Sequence, residues 1–496
     1  MRTSNQKINE DRFKVIPRKG YPEVRVLEVV LGRCSETQSD YRTGHPMAKP
    51  GTFNAQVAEE AYALQMRYQN GNLVDGKMFP GAFRTEADVI SMTANLLQHP
   101  NLDAVGGFML GGGTESISQA LWIMSRKYFG GNYGVDVGRE GIQDAIEQIQ
   151  RKRPGYYPVI LAPVGTHFAL EKVADLQGYG RKKVVRYGLE KDFTTDFSSL
   201  ERVVRNAYES GGEIMVSFCN AGDVEKGKVQ SVSRVDRVVS ELAEAYRRPR
   251  PKVIVDAAPQ FLFLSVLRDS TKYGLEIPKW DFSVEAVQGI VCDWHKNRVP
   301  YNAGALVLRD AHDLLLTNQF AAYLHNNSSV DMGPLNEGER IRCGVASSIP
   351  TSRGAGGTFG TFAYLLTEGI EGLRRSKEEV WRITQLFAEQ IKKSKHYKLI
   401  CAPQTSVVAF ELKENRDRHE RVYDTLNNDP ADNLFISHSD TALVRTPEEL
   451  EQCRDLDEET KEKRYSGLHV HIMEHNNEES VHQTIKKLED LATKIK

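Results

Sequence analysis

Residues 156–187, YYPVILAPVGTHFALEKVADLQGYGRKKVVRY, show which class of fold the chain adopts. The stretches YYPVILAP and KKVVRY are short and rich in β-branched and aromatic residues, which is typical of strands. Between them, HFALEKVADLQ has apolar residues at helical spacing. This order of strand, helix and strand predicts a βαβ unit with parallel strands.

The same alternation continues along the chain after residue 187. Helix-like and strand-like stretches follow in the order DFSSLERVVRNAYES, EIMVSFC, SRVDRVVSELAEAYRR, KVIVDAA, SVEAVQGIVCDW and AGALVLRD. Before residue 156, a glycine-rich loop that includes Gly111–Thr114 precedes another helix. Short strands alternating with helices predict an α/β fold whose mainly parallel sheet carries helices on both faces.

Three parts can be distinguished along the 496 residues. Residues 1–90 are predicted to form an N-terminal arm with helices, and residues 91–375 to form the large domain that contains the sheet. A long helix then leads into a small C-terminal α+β domain over 376–496, with the predicted strands YKLICAP, SVVAFELK and LHVHIMEH. The polar stretch 322–357 is predicted to be a long loop, and the charged segment 411–465 a surface insertion.

The composition excludes several classes of protein. A formal net charge of −2, without a long basic run, argues against a nucleic-acid surface. The six cysteines form no CxxC pair, which favours reduced thiols over a disulfide framework or a zinc finger. The first twenty residues are polar, and no stretch of about 18 apolar residues occurs. We therefore expect a cytoplasmic protein with no membrane span.

Several polar residues fall where predicted strands end, which is where α/β sheets bind ligands. They are His167, Asn220, Asp256 and the pair His295-Lys296, with the loop Gly111–Thr114 nearby. Lys296 has two interpretations: a strand-end lysine turning into solvent, or an amine held out of water to attack a carbonyl.

The other groups are equally ambiguous when taken singly. Asp256 ends an apolar strand, so its carboxylate is either a cap or the counter-ion of a buried cation. His167 is either a core histidine or a flat ring that stacks on a cofactor. GGGTES (111–116) is either a phosphate cradle at a helix N-terminus or a turn with Thr114 as N-cap.

One cofactor, pyridoxal phosphate (PLP), uses all these features together. Its aldehyde needs a lysine, its pyridinium an acid, its phosphate hydrogen-bond donors and its flat ring a stacking partner. Competing motifs are weaker. GDVEKGK (222–228) has P-loop spacing but lacks the required Ser/Thr and contains two acids, and the glycines at 106–113 have no acidic partner for dinucleotide binding. HVHIMEH (469–475) could bind a metal, but a strand with surface histidines is the favoured interpretation.

The ordered motifs FPGAFRTEADV, GGGTES, APVGTH, NAG, VDAA and DWHK resemble those of the group II decarboxylase family of fold-type-I PLP enzymes. This family includes glutamate, aromatic-amino-acid and tyrosine decarboxylases and also sphingosine-1-phosphate lyase. The resemblance covers about residues 55–375. It implies a seven-stranded sheet, PLP bound in the 91–375 domain, dimerisation helices within 1–90, and a homodimer with its active site at the interface.

The resemblance also implies roles for individual residues around the cofactor ring. Lys296 matches the Schiff-base lysine, Asp256 the acid on the pyridine nitrogen, and His167 the stacked histidine. Ala258 matches the alanine on the opposite ring face. Asn220 falls where many decarboxylases have a threonine near the ring hydroxyl, which is a departure from the family pattern.

Three further residues match the phosphate site of the family. Gly113 and Thr114 match binders in the helix-opening loop, and His295 matches the histidine that precedes the lysine. TSRGAGGT (351–358) is expected to complete the phosphate site of the partner subunit.

The chemistry implied is that of a PLP-dependent carbon–carbon lyase. We expect decarboxylation of an L-amino acid through an external aldimine and a quinonoid, with either Tyr323 or His167 as the proton donor. Arg353 is the expected substrate-binding residue. No metal is expected. The alternative is retro-aldol cleavage of a phosphorylated amino alcohol, as in sphingosine-1-phosphate lyase. A degenerate, non-catalytic relative is disfavoured because Lys296, Asp256 and His167 are all retained.

Overall fold

The central feature of the molecule is a seven-stranded sheet. The computed structural model describes residues 22–35, 47–68, 71–74, 78–190, 192–318, 341, 347–414, 418–427, 436–442 and 464–494. The strands of the sheet are β1 (Gly106–Leu110), β2 (Tyr157–Pro163), β3 (Val184–Tyr187), β4 (Gly212–Asn220), β5 (Lys252–Asp256), β6 (Val287–Asp293) and β7 (Gly304–Leu308), in the spatial order β1-β7-β6-β5-β4-β2-β3. All neighbouring pairs from β6 to β3 are parallel, and β7 runs antiparallel to both of its neighbours. The prediction of a mainly parallel sheet is confirmed.

The predicted βαβ unit explains how one half of the sheet forms. Strands β2 and β3 pair in parallel, with Ile160 opposite Val184, and helix α7 (Ala169–Leu176) connects them. All nine residues of β4 are buried, as expected for a strand with helices against both faces. The apolar runs in the sequence therefore become the two-sided core of the large domain.

The described residues form thirteen further α-helices. They are α1 (Glu23–Ser35), α2 (Gln56–Arg67), α3 (Pro80–Leu96), α4 (Gly113–Tyr133), α5 (Val137–Glu140), α6 (Ile142–Lys152), α8 (Phe197–Glu209), α9 (Val232–Ala245), α10 (Phe261–Val266), α11 (Ser270–Tyr273), α12 (Gly356–Lys393), α13 (His419–Asn427) and α14 (Glu478–Lys494). Helix α12 kinks at Gly369 and packs against α2 and α3. Helices α3 and α12 run across the proposed boundaries at 90 and 375, and the three-part division stays a prediction.

The glycines at 106 and 107 belong to strand β1, a strand that the sequence-based prediction did not include ahead of the loop at 111–112. Gly107 shows the reason: its φ is +147°, and a Cβ there would lie 2.4 Å from the carbonyl oxygen of Leu306. Close pairing with β7 requires glycine at this point. The glycines therefore mark a tight strand contact, a feature that a sequence pattern does not separate from a loop.

A second sheet lies in the C-terminal part. It is antiparallel, with strands β8 (Tyr397–Leu399), β9 (Val407–Leu412), β10 (Ser437–Ala442) and β11 (Arg464–His471) in the order β10-β11-β9-β8. Helix α13 and strand β10 fall in the segment 411–465, so its described residues belong to this sheet and its cover. The interpretation of that segment as a surface insertion is wrong for these residues.

Among the described helices, none combines the length and the apolar character needed to cross a membrane.

Candidate active site

The topology brings the predicted site residues to one edge of the main sheet. Strands β2, β4, β5 and β6 are neighbours and run in parallel, so their carboxyl ends lie side by side. Asn220 ends β4 and pairs in register with Asp256, which ends β5. His167 follows β2 by four residues, and the 3-10 turn Trp294–Lys296 follows β6.

Lys296 faces into this edge of the sheet. Its Nζ lies 2.7 Å from Oδ2 of Asp293, and its side chain is 21% exposed while that of Asp293 is 2% exposed. Burial lowers the pKa of Lys296, but the charge and hydrogen bond of Asp293, helped by the charge of Asp256, outweigh burial and leave that pKa above its usual range. The lysine is therefore held as an ammonium by a buried carboxylate.

Asp293 was not among the predicted site residues. Its Oδ1 is buried and has no hydrogen-bond partner within the described part of the chain. A Cβ on Gly113 would lie 3.2 Å from its Oδ2, which places the carboxylate directly below the glycine-rich loop. A signal was available in the motif DWHK, because an acid three residues before a lysine reaches it across one turn.

Asp256 is the second carboxylate of the site. Burial raises the pKa of Asp256. The backbone N–H of Ala258 and the interactions with Lys296 and His167 lower it by less, so the pKa stays above its usual value. That N–H donates to Asp256 Oδ1 over 3.1 Å. A buried acid with a raised pKa is suited to a cationic partner such as a protonated ring nitrogen.

His167 and Asn220 lie beside this carboxylate. His167 is half-buried; burial lowers its pKa, and the charge of Asp256 opposes that effect. Its Nδ1 accepts the backbone N–H of Ala169 over 3.3 Å. Thr166 Oγ1 donates to Asn220 Oδ1 over 3.4 Å. A neutral imidazole with a fixed orientation is available here for stacking.

The glycine-rich loop packs tightly against the start of β7. A Cβ on Gly304 would lie 2.5 Å from Gly112 Cα, and one on Gly113 would lie 3.3 Å from the Cβ of Ala258. Gly112 is the N-cap of α4 and Thr114 lies inside the first turn, so Thr114 is not the cap. The glycines of the loop thus add no side chain of their own at the N-terminus of α4, where Glu115 Oε2 accepts the N–H of Gly111 over 2.6 Å.

His295 lies on the other side of this loop. A Cβ on Gly112 would lie 3.2 Å from its Cε1, and its Nε2 lies 3.7 Å from Asp293 Oδ2. Burial lowers its pKa, and its Nδ1 is a buried atom without a hydrogen-bond partner among the described residues. Tyr301, 71% exposed, stacks on the ring at a centroid distance of 4.5 Å.

Comparison with known proteins agrees with this geometry. The family described as "Pyridoxal-dependent decarboxylase conserved domain" matches residues 65–413. The chain belongs to this family. The predictions of PLP as cofactor and of a PLP-dependent carboxy-lyase acting on an amino acid are thereby confirmed.

Curated relatives of this decarboxylase include several amino acid decarboxylases. An L-aspartate/L-glutamate decarboxylase of Pyrococcus horikoshii is 24% identical, over 80% of this chain and 87% of the relative. Probable L-tyrosine/L-aspartate decarboxylases are 25% identical in Methanopyrus kandleri (78% and 87% covered) and 24% identical in Methanosarcina mazei (96% and 99% covered). All three names describe decarboxylases, so these relatives do not favour the retro-aldol alternative.

Solved structures show the same fold as this decarboxylase. Oryza sativa TDC with PLP and tryptamine superposes with a TM-score of 0.74 at 15% identity, over 97% of this chain and 90% of that one. Lactobacillus brevis glutamate decarboxylase gives a TM-score of 0.71 at 17% identity, over 98% and 95% of the two chains. The prediction of a fold-type-I architecture is confirmed.

The residues of the decarboxylase fit PLP. The orphaned Asp293 Oδ1 and His295 Nδ1 flank a glycine cradle that a Cβ would fill, at the N-terminus of α4. The free backbone N–H groups of a helix N-terminus suit a phosphate group. Lys296, Asp256 and His167 lie at the same edge, so a lysine, an acid and a flat ring are within one site.

For two predicted site residues of the decarboxylase, the structure does not show a place in this site. Arg353 is buried and forms an ion pair with Glu86, and it donates to the carbonyl oxygens of Met109 (2.7 Å) and Leu73 (3.1 Å). Its guanidinium is thus already engaged, and its role toward a substrate stays a prediction. Tyr323 lies outside the described residues.

The competing motifs do not form sites in the decarboxylase. In GDVEKGK, Asp223 accepts the backbone N–H groups of Glu225, Lys226 and Lys228, so an acid closes the loop on itself where a P-loop would bind phosphate. His469 and His471 are buried, which corrects the interpretation as surface histidines. Over the described ranges, no cluster of three or more His, Cys, Asp or Glu residues could hold a metal ion.

Proposed function

We propose that Lys296 is the lysine to which PLP is attached and that L-aspartate is the first candidate substrate. The observation that carries the assignment is the ion pair between Lys296 Nζ and Oδ2 of the buried Asp293, which lies near Asp256 at the carboxyl edge of the sheet. L-aspartate is the one amino acid that the names of the three curated relatives share.

PLP, when bound, supplies an electron sink for the bond that breaks at Cα. In this proposal Asp256 would pair with the ring nitrogen of PLP, His167 and Ala258 would hold its ring, and Asn220 would donate to its ring hydroxyl. The groups that bind the phosphate come from the glycine-rich loop and from the turn after β6: the backbone of Gly113, the hydroxyl of Thr114 and the ring of His295.

The proton on Lys296 Nζ is the first group that must move. Asp293 Oδ2 holds that proton at an Nζ–Oδ2 distance of 2.7 Å, and the amine is nucleophilic only after losing it. We assign to Tyr323 the later proton transfer to the substrate carbon, and to Arg353 the binding of a substrate carboxylate. The latter role requires the guanidinium to leave Glu86 at least in part.

We also propose a homodimer, located in the cytoplasm, with its active site at the subunit interface. Large apolar side chains are exposed along one N-terminal helix, α1: Val24, Val26, Leu27, Val30 and Leu31. Phe168 (67% exposed) and Tyr301 also expose aromatic surface next to the site. Exposed apolar patches of this kind mark interaction surfaces. TSRGAGGT (351–358) lies beside residues 71–74, where Ser352 Oγ accepts from Asn72 Nδ2.

The experiment that tests this function compares wild type with Lys296→Ala. We expect wild type to bind PLP covalently, detected by its visible absorption and by borohydride trapping, and to release CO₂ and an amine from L-aspartate. Lys296→Ala should lose the trapped adduct and lower kcat by roughly 10³-fold or more, since removal of a covalent catalyst has effects of this size.

The products separate the competing functions. Screening L-glutamate and L-tyrosine beside L-aspartate identifies the substrate, and an aldehyde assay with a phosphorylated amino alcohol tests retro-aldol cleavage. A wild-type protein that traps no PLP would contradict the assignment of Lys296. Trapped PLP in Lys296→Ala would show that another lysine forms the adduct.

A further inference from the structure

A second lysine is buried behind the turn that carries Lys296. Lys377 lies on α12, and its Nζ donates to Glu474 Oε1 over 2.5 Å and to Asn297 Oδ1 over 2.8 Å. The side chains of Lys377 and Glu474 are each 4% exposed. Glu474 follows the end of β11 by three residues. The pair therefore connects the C-terminal sheet and α12 to the residue directly after Lys296.

Asn297 fastens this turn from within. It is 1% exposed, its Nδ2 donates to the carbonyl oxygen of Asp293 over 2.9 Å, and its backbone N–H donates to the carbonyl oxygen of Trp294 over 2.7 Å. Asp293 is also the partner of the Lys296 ammonium. The Asn297 side chain, which accepts from Lys377, is thus also the one that donates to the backbone of Asp293 across the turn that carries Lys296.

The next residue shows that this turn needs external support. Arg298 has φ +64°, a left-handed conformation that non-glycine residues adopt rarely. Such a conformation persists where the surroundings determine it, often at functional sites. One support is the backbone N–H of Ala55, which donates to the carbonyl oxygen of Arg298 over 2.7 Å. The hydrogen bond from Lys377 to Asn297 is a second support.

The buried pair is poorly suited to a purely stabilising role. Glu474 Oε2 is buried and has no hydrogen-bond partner in the described part of the chain. Removing two charges from water offsets much of their attraction unless the remaining atoms are hydrogen-bonded. A well-packed apolar pair of similar volume is often as stable as a buried ion pair, so stability alone does not explain these two charges.

We propose that Lys377 and Glu474 are positioning residues for Lys296. They act through Asn297, whose amide they hold so that the 294–297 turn presents the Lys296 amine to PLP. This inference rests on the proposed role of Lys296. It assigns the C-terminal part of the chain, through Glu474, Lys377 and Asn297, an indirect influence on the geometry of the reacting amine.

The test is a cycle of variants assayed for capture of PLP by the cofactor-free full-length protein. Lys377→Met/Glu474→Gln removes both charges together and leaves neither one buried alone. Asn297→Ala removes the link to the turn. We expect each to slow PLP capture and to lower kcat by about 10- to 100-fold, because small displacements of a reacting group have effects of this size.

Combining the variants distinguishes a role in positioning Lys296 from a general loss of protein stability. If the pair acts through Asn297, the triple variant should capture PLP no more slowly than Asn297→Ala alone, because interacting residues are not additive. A matched control is Lys127→Met/Asp313→Asn, which removes a lysine–aspartate pair of 2.8 Å that also has an amide partner, Gln288. We expect this control to capture PLP at the wild-type rate.

Two results would each overturn the inference: wild-type capture rate and kcat in Lys377→Met/Glu474→Gln, or additive losses in the triple variant. If the double variant does not fold, Asn297→Ala decides the question alone, since a wild-type capture rate in that variant also overturns the inference. Failure of wild type itself to bind PLP would instead contradict the proposed function, and would be seen before any variant is compared.

Discussion

At the scale of single residues, the environment of Lys296 sets its chemistry. An isolated lysine at a strand end would be solvated, but Asp293 and Asp256 surround this one with negative charge, and its pKa is raised despite burial. The attacking form of an amine is the neutral one. The structure thus stores the lysine in its unreactive form until the proton leaves, which makes PLP capture dependent on pH.

Asp293→Asn tests this protonation directly. Burial lowers the pKa of Lys296, and the negative charge of Asp293 opposes that effect. Removing this charge should therefore lower the pKa of Lys296. Below the pKa, the fraction of neutral amine increases about tenfold when the pH rises by one. We therefore expect the pH profile of PLP capture to move to lower pH in this variant. Capture at pH 7.5 should be faster by on the order of tenfold if the pKa of Lys296 falls by one.

The measurement is the stopped-flow rate of PLP capture from pH 6 to 10 in wild type and variant. Asp313→Asn serves as the control, because it removes a buried aspartate that pairs with Lys127, not with Lys296. Capture that is slower in Asp293→Asn at every pH would show that this carboxylate helps the reaction by a route other than holding the proton.

At the scale of elements, the site depends on the close contact between the loop before α4 and the start of β7. Gly304 opens β7 against Gly112, and the turn after β6 is fastened to the same region, since Trp294 N–H donates to the carbonyl oxygen of Ala303 over 2.8 Å. The loop proposed to bind the phosphate and the turn that carries Lys296 therefore both contact the start of β7. A change in the spacing of these elements should alter cofactor binding before it unfolds the protein.

Gly304→Ala should show this effect. The new Cβ would lie 2.5 Å from Gly112 Cα, so the backbone of the loop must move. We expect destabilisation of about 1–3 kcal/mol from overpacking, and PLP affinity at least roughly tenfold weaker. Thermal unfolding of the cofactor-free protein and equilibrium PLP binding measure the two effects separately.

The matched control is Gly130→Ala, in the exposed part of α4, where no atom lies within 4 Å of the new Cβ. This variant should keep wild-type PLP affinity and gain about 0.5–1 kcal/mol of stability, because alanine is the better helix former. Equal PLP affinity in Gly304→Ala and wild type would mean that the loop tolerates displacement and is not the cradle.

At the scale of the whole molecule, the exposed apolar residues of α1 are the basis for the predicted homodimer. A second copy would bury Leu27 and Leu31, and full burial of a leucine side chain stabilises by about 1.5–3 kcal/mol. A homodimer would also place residues of one subunit near the exposed aromatic side chains of the other. Assembly and activity should then be lost together.

Leu27→Glu/Leu31→Glu tests this assembly. We expect the dimer dissociation constant to rise by on the order of 10²-fold or more, because two buried leucines are replaced by charges, and kcat to fall as monomer appears. Sedimentation velocity measured across a concentration series, with activity assayed on the same samples, gives both quantities. Leu176→Glu, which changes an exposed leucine of α7, is the control and should sediment as wild type does. A monomeric wild type with full activity would contradict the proposal.

Much of the fold and of the site is determined by the sequence alone. The alternation of apolar strands and helices predicts parallel strands, whose carboxyl ends must meet at one edge because each crossover returns the chain in the same direction. Lys296, Asp256, His167 and Asn220 therefore share an edge without any knowledge of the strand order. Their chemistry follows from residue type, since an amine, an acid and a flat ring together suit PLP.

The tertiary structure decided which distant segments of the chain become neighbours, and therefore which strands pair and which side chains contact each other. The pairing of β1 with β7 turned a glycine-rich segment into a strand, and the pairing of Arg353 with Glu86 engaged a cation that the sequence leaves free. The contacts of Lys377 with Glu474 and with Asn297 likewise join three separate parts of the chain. Local sequence patterns predict the helices and strands and the edge of the sheet at which polar residues fall. Hydrogen bonds and ion pairs act over only a few ångströms, so the partner of each side chain is determined only once the chain has folded.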